Sequence, residues 1–402
     1  MIEFSDSIKS LRSSEIRRLM KMASDPNIIS FGGGMPNNSI FPIETVEELW
    51  SKLPRSIKEA AFQYGPTSGY PPLIAALKDY LSSKGLPVDE SQDLLITTGA
   101  QQAINLVSKV LINPGDRIIT EYPSFIGALA AFSSYGAILK GIALDDEGIN
   151  IDELKNALAD KWLKPKMLYI SPYFHNPAGI IYSKERKKAL LELLLENSVC
   201  LLEDDPYCEL YFNDNDKELT VPIKALAKER FPICYVGSFA KIFGPGMRLG
   251  WLLAPKEIVD KCEMAKQSMD ACSATFTQVL AAEFLSKNKL PGYVSILRKS
   301  CAKRADIMLG ALKAHMPSEI SWTRPKGGFY IWVTMPESMD ASAVFSASIK
   351  NGAAFVIGSA FDPEGKRNNC FRLAFSHTPE DKIELGIKII GEAIKNIMSI
   401  KK

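Results

Sequence analysis

The sequence predicts an α/β fold, with a large domain on a mostly parallel sheet flanked by helices and a smaller α+β domain after it. Three observations predict this. Short apolar, β-rich runs alternate with helical patterns up to about residue 255. Residues 256–315 then keep a helical pattern without strand-like interruption, and from Gly327 short strands and helices mix again.

In chain order, a charged helix is expected at 14–23. Strands are expected at 94–98, 117–121, 167–171, 199–204, 233–237 and 249–254, mostly uniformly apolar, as strands buried on both faces are. Between the first two, Ala103, Ile104, Val107, Val110 and Leu111 form one stripe at helical spacing, and Asn113-Pro114-Gly115-Asp116 ends it, so residues 100–112 read as a covering helix. Helices at 151–159 and 183–196 follow the same logic. A domain boundary is expected within 256–315. Beyond it, Gly327-Gly328 leads into a strand at 329–335, a helix at 341–350, strands near Ala354 and Cys370, and a final helix from Pro379.

Composition narrows the function. Hydrophobic residues are 46% and charged residues 23%, proportions that suit a compact soluble chain rather than a disordered one. The net charge of +2 is spread without a basic block, which argues against nucleic acid or an anionic membrane as partner and for a small molecule. The seven cysteines are scattered and never spaced Cys-x-x-Cys, so a disulfide framework and a zinc ribbon are not expected, and a reducing cytoplasm is. With His175, His315 and His377 as the three histidines, no pair at ligand spacing exists and no metal is expected. Charges throughout the first twenty residues leave no signal-peptide core, and Glu192, Glu196 and Asn197 interrupt the most apolar stretch, 189–202, so no membrane span is expected.

Candidate chemistry gathers at four strand ends, where open α/β sheets bind ligands. Ser238-Phe239-Ala240-Lys241 follows the strand at 233–237, and Arg248 stands seven residues after the lysine. Lys241 is either a snorkelling surface lysine or an amine that forms a Schiff base with a carbonyl cofactor. Gly99-Ala100-Gln101 opens a helix and suits a phosphate through its bare N–H groups, assisted by Ser238 and Arg248; it is not a Walker loop. Glu203-Asp204-Asp205-Pro206-Tyr207 sets three acids at the end of an apolar run. A carboxylate there needs a cationic partner such as a protonated pyridine nitrogen, and alternation lets one of Asp204 and Asp205 serve; a turn cap is the plain alternative. In His175-Asn176-Pro177-Ala178-Gly179 the Asn176 amide, like the Tyr207 hydroxyl, suits a ring oxygen, although a Pro-Gly turn with a loop histidine explains the string as well. Phe125 either stacks on a flat ring or packs in the core.

Taken with Ile29-Ser30-Phe31-Gly32-Gly33-Gly34-Met35-Pro36, Phe41-Pro42, Gln63-Tyr64-Gly65-Pro66, Gly69 and Phe371-Arg372-Leu373-Ala374-Phe375-Ser376, these motifs make nearly the whole chain resemble one family. It is similar to the fold-type I, pyridoxal 5′-phosphate-dependent aminotransferases of class I/II, and within them to the α-aminoadipate/kynurenine subgroup. The resemblance implies an aspartate aminotransferase-like fold with a seven-stranded sheet, divided into an N-terminal arm with part of the small domain (1–45), a large cofactor-binding domain (46–290) and a C-terminal small domain (291–402). It implies that Lys241 carries the Schiff base, that Asp204 rather than Asp205 pairs with the pyridine nitrogen, and that Asn176 and Tyr207 bond the ring hydroxyl. Phe125 stacks on the ring, and Ala100, Gln101, Ser238 and Arg248 hold the phosphate with Tyr64 of a neighbouring subunit, in a homodimer with shared sites. Arg372 grips the substrate α-carboxylate, with Gly34 closing over it. Arg17 matches an arginine that the subgroup uses for distal carboxylates, with a solvated helix charge as the plain alternative. Ala178, Ala100 and Phe125 stand where the family often has Thr, Ser and Tyr.

The implied activity is ping-pong transfer of an amino group from 2-aminoadipate, glutamate, or aromatic or branched apolar L-amino acids to a 2-oxo acid such as 2-oxoglutarate, with Lys241 as the proton carrier. A β-lyase or a decarboxylase would use the same lysine and acid. A non-enzymatic regulator would need a helix-turn-helix module, for which the roughly thirty residues before the glycine motif are too few.

Overall fold

The computed structural model describes residues 2–9, 25, 27–227 and 232–400. The helix expected at 14–23, and Arg17 with it, lies outside the described residues.

Fourteen strands are described: β1 (Ile29–Ser30), β2 (Gln92–Thr97), β3 (Arg117–Tyr122), β4 (Ile138–Asp145), β5 (Gly148–Ile149), β6 (Met167–Ile170), β7 (Cys200–Asp205), β8 (Ile233–Ser238), β9 (Gly250–Pro255), β10 (Ser321–Trp322), β11 (Tyr330–Thr334), β12 (Ala353–Ala354), β13 (Val356–Ile357) and β14 (Cys370–Ala374). The large sheet runs β2-β9-β8-β7-β6-β3-β4-β5. It therefore has eight strands where seven were expected; the eighth, β5, is a two-residue hairpin partner antiparallel to the edge of β4. All six strands read from the sequence are present. The seventh, β4, escaped that reading because Lys140 and Gly141 interrupt its apolar run, and an edge strand with exposed ends does not need uniform hydrophobicity.

The sheet is parallel from β8 through β7, β6 and β3 to β4, whereas β9 runs antiparallel between β2 and β8. Parallel strands alternate with helices because neighbouring residues on each strand serve opposite faces. Ile118 and Leu202 pack on one face with Ala103, Ile104 and Val107 of helix Ala100–Leu111, while Ile119 and Leu201 pack on the other with Leu190 and Leu194 of helix Lys184–Asn197. Ser183 caps the latter helix by accepting from the Arg186 N–H at 3.1 Å. The carboxyl ends of β3, β6, β7 and β8 consequently share one edge.

The 256–315 stretch forms three helices, Lys256–Gln267, Thr275–Ser286 and Leu290–His315. A smaller sheet, β10-β11-β14-β13, follows and shares a third apolar cluster with Leu290–His315 and the final helix Glu380–Ile400. The short β1 pairs in parallel with β12, Ile29 opposite Ala353, which brings the glycine-rich segment after β1 beside β14. The Ala374 N–H donates to the Phe31 carbonyl at 2.8 Å. No helix among the described residues is long and apolar enough to cross a membrane, and all seven cysteines are free.

Candidate active site

A cavity of about 320 Å³ opens where the carboxyl edge of the large sheet meets β11, β14 and the segment after β1. Its walls bring together Gly34, Ala100, Gln101, Phe125, Asn176, Asp204, Tyr207, Ser238, Lys241, Arg248 and Arg372. These are all of the expected site residues except two. Tyr64 is 85% exposed and does not line this chain's own cavity, and Arg17 lies outside the described residues. Gly32, Ser171, Pro206, Ala240 and Tyr330 also line the walls without having been singled out.

Asp204 and Asp205 end β7, and alternation separates them as expected. Asp205 faces away from the cavity, where it accepts from the Tyr235 hydroxyl at 2.5 Å and from the Cys208 N–H at 2.9 Å, the turn cap that was the plain reading of this string. Asp204 lines the cavity. Its Oδ2 accepts from the Tyr169 hydroxyl at 2.8 Å, but its Oδ1 is buried with no partner. Burial pushes its carboxyl up to about 7, helped by the nearby Asp205 and Glu121 charges and opposed by the Tyr169 bond. An ionised carboxylate here lacks a cation, and a ligand nitrogen bearing a proton would supply one.

Lys241 sits in the loop after β8. Its Nζ donates to the Gly34 carbonyl at 2.6 Å. Burial, with the Arg372 and Arg248 charges, lowers the ammonium to about 8, so about a tenth of it is neutral at pH 7, far more than of an ordinary lysine, as a nucleophilic amine requires.

The opposite end of the cavity suits an anion. Gly99 precedes helix Ala100–Leu111 at φ +84°, and a Cβ there would lie 2.9 Å from an Arg248 Nη, so glycine meets both the backbone conformation and the close approach. The first-turn N–H groups of Ala100 and Gln101 have no intrahelical acceptor. Arg248, itself left-handed at φ +49°, stands at the rim, and the Ser238 hydroxyl accepts from the Ala240 N–H at 3.1 Å.

Arg372 on β14 is buried between the Tyr330 and Phe361 rings, 4.5 and 5.0 Å from their centroids. It donates to Asn176 Oδ1 at 2.8 Å and to the Gly32 carbonyl at 2.6 Å, while its Nε is buried without a partner. Three of its five N–H groups stay available. His175, expected as a loop histidine, is in a loop but fully buried. Its Nδ1 accepts from the Ala178 N–H at 3.1 Å, so its Nε2 proton faces Glu121 Oε2 at 3.0 Å. Glu121 also accepts from Tyr182 and from the Ser171 N–H, and so fixes the loop that carries Asn176. Tyr330 carried no sequence signal, being one polar residue in a strand that reads as core, whereas Glu121 stands at the end of an apolar run and was passed over.

Comparisons with known proteins identify the family. The family model described as aminotransferase class I and II matches residues 29–390. An aromatic-amino-acid aminotransferase of Thermococcus litoralis is 38% identical over 98% of this chain and 94% of its own. A Pyrococcus horikoshii kynurenine aminotransferase, solved with PMP, superimposes at a TM-score of 0.93 with 38% identity, covering 98% of this chain and 97% of that one. An α-aminoadipate aminotransferase of Thermus thermophilus, solved with N-(5′-phosphopyridoxyl)-L-leucine, gives a TM-score of 0.88 at 32% identity, covering 99% and 98%.

Proposed function

The chain belongs to the class I and II aminotransferases and is a pyridoxal-phosphate-dependent transaminase, and on that premise we propose which of its residues do the work and on what substrates. The observation that carries the reading is the pairing, in one cavity, of an amine lowered to about 8 with a buried carboxylate whose Oδ1 has no partner. Pyridoxal phosphate, when bound, supplies an aldehyde that condenses with amines and a protonated ring that accepts the electron pair left by an α-proton.

Each wall then has a task. Lys241 Nζ is the amine that joins the aldehyde, and Asp204 Oδ1 holds the proton on the ring nitrogen. Asn176 and Tyr207 bond the ring oxygen, and Phe125 covers the ring face. Arg248, the Ser238 hydroxyl and the N–H groups of Ala100 and Gln101 take the phosphate; Ala100, with no hydroxyl, contributes its backbone alone. Arg372 receives the α-carboxylate through the N–H groups it does not already use, and Gly34 leaves room for it. As a free amine, Lys241 Nζ would take the α-proton of a bound amino acid and carry it as the proton shuttle of the site.

The substrates we infer are 2-aminoadipate, glutamate, and aromatic or branched apolar donors, with 2-oxoglutarate as acceptor. Tyr330, Phe125 and the glycines of the 32–34 segment support apolar side chains. Among the described residues, the cations lining the cavity are Lys241, Arg248 and Arg372, all engaged above, so a distal carboxylate is left to Arg17. The shared homodimer is part of the same reading. It is supported by an aromatic cluster in which the exposed Phe62, two positions before Tyr64, and Phe276 meet the half-buried Trp50, all within 6.3 Å centroid to centroid. The division at residues 45 and 290 belongs here as well, supported by the β1–β12 pairing, and so does the cytoplasm, supported by seven free cysteines.

Glutamate formation from 2-oxoglutarate across a panel of amino donors tests the activity. Lys241→Ala should abolish it, and normal turnover would refute the assignment. Arg17→Ala should lower turnover of 2-aminoadipate but not of leucine; equal losses would remove Arg17 from the site.

A further inference from the structure

Tyr330 begins β11, directly after Gly327-Gly328-Phe329, and is 2% exposed. Its hydroxyl lies 2.9 Å from the Tyr207 hydroxyl, and the two rings meet edge to face at 5.8 Å. Its ring face carries the Arg372 guanidinium at 4.5 Å. Its hydroxyl also abuts Gly34, where a Cβ would fall 1.8 Å from it, and the Gly34 carbonyl holds Lys241 Nζ. Tyr330 thus touches three site residues, and through Gly34 it supports the fourth.

The pair of hydroxyls settles its own direction. A phenol has one proton to donate. If Tyr207 gives its proton to the cofactor's ring oxygen, as proposed above, the bond between the two tyrosines must run from Tyr330 to Tyr207. We propose that Tyr330 is a positioning residue whose hydroxyl donates to Tyr207, leaving the Tyr207 proton aimed at the ring oxygen, while its ring holds Arg372 in place. A phenol that accepts a hydrogen bond becomes a better donor through its own proton, so the chain of two strengthens the contact with the cofactor. The charged groups facing the pair are Arg372 from β14, Lys241 from the loop after β8 and Asp204 from the end of β7.

This inference rests on Tyr207 facing the ring oxygen, and the experiment separates the two. The protein, Tyr207→Phe, Tyr330→Phe and the double variant are compared by two readouts: the dissociation constant for pyridoxal phosphate, and the pH midpoint of the visible band of the lysine-linked cofactor. A donor on the ring oxygen disperses negative charge that otherwise retains the proton on the lysine nitrogen, so loss of that donor raises the midpoint. Tyr207→Phe is expected to raise it. Tyr330→Phe should raise it by a smaller amount and weaken cofactor binding ~2- to 10-fold, the range for one neutral hydrogen bond. The double variant should match Tyr207→Phe alone. Because phenylalanine keeps the ring on Arg372, KM for amino donors should stay within about twofold of the parent in Tyr330→Phe. If Tyr207→Phe moves the midpoint and Tyr330→Phe does not, or if the two shifts add in the double variant, the role of Tyr330 is refuted while that of Tyr207 stands. If Tyr207→Phe leaves the midpoint unmoved, the premise fails instead.

Discussion

Asp204→Asn should make the cofactor-free protein more stable, and increasingly so as the pH rises. In the folded chain burial holds the Asp204 carboxyl near 7 against an ordinary value of 3.8. The folded state therefore keeps a proton that the unfolded state has released, and stability falls as pH rises through this window. Asparagine has no proton to lose and shows no such slope. At about 1.4 kcal/mol per pH unit, the gap in favour of the variant should open near pH 4, reach about 1.5 kcal/mol at pH 5, and level off at about 4 kcal/mol above pH 7. Urea unfolding of both proteins without cofactor, at one protein concentration and at pH 5 and pH 8, measures it. With pyridoxal phosphate bound, a protonated ring nitrogen opposite Oδ1 stabilises the carboxylate, so the gap should shrink or reverse. Parallel curves for the two cofactor-free proteins across pH 4–8 would show that Asp204 is not the buried, proton-retaining acid described above.

Lys241, lowered to about 8, should react with an amine-directed reagent with a midpoint near pH 8 in the cofactor-free protein, well below the surface lysines, as peptide mapping of the labelled sites would reveal. Arg248→Ala should weaken pyridoxal phosphate ~10- to 100-fold, the scale of a charge-assisted bond, and leave dephosphorylated pyridoxal nearly unaffected; equal loss for both ligands would move the phosphate elsewhere. Gly237→Ala places a Cβ 2.1 Å from two atoms of the Trp251 ring, which is itself pinned by Tyr80 and Phe239, so overpacking should cost about 1–3 kcal/mol, read as a lower urea midpoint.

The sequence disclosed the parallel strands best because burial on both faces makes them continuous apolar runs, and that same property located the site, since polar residues stand out where such runs stop. Asp204, Asn176, Ser238 and Lys241 were all legible for this reason. What the residues alone left open was which neighbouring acid faces inward: periodicity says that Asp204 and Asp205 diverge but not which way the strand is turned, and the family spacing to Tyr207 decided it. Tyr330 was hidden for the converse reason: a tyrosine between Phe329 and Ile331 follows core patterning. Glu121 does stand where an apolar run stops, but its carboxylate, like the Tyr330 hydroxyl, acquires meaning only from residues fifty or more positions away. The strand β4 was missed because an edge tolerates the lysine and glycine that a central strand would not.

The reversed strand β9 starts at Gly250, opposite Thr97 on one side and Ser238 on the other. A methyl group at that position would press on the Ala100 nitrogen, the Gly99 carbonyl carbon and the Gly237 carbonyl oxygen, each at 2.7–2.8 Å. Backbone atoms offer no rotamer by which to step aside. A saturation library across this enzyme should therefore return a blank column at residue 250, whereas at Gly33 a Cβ would meet nothing firmer than the flexible tip of Met35.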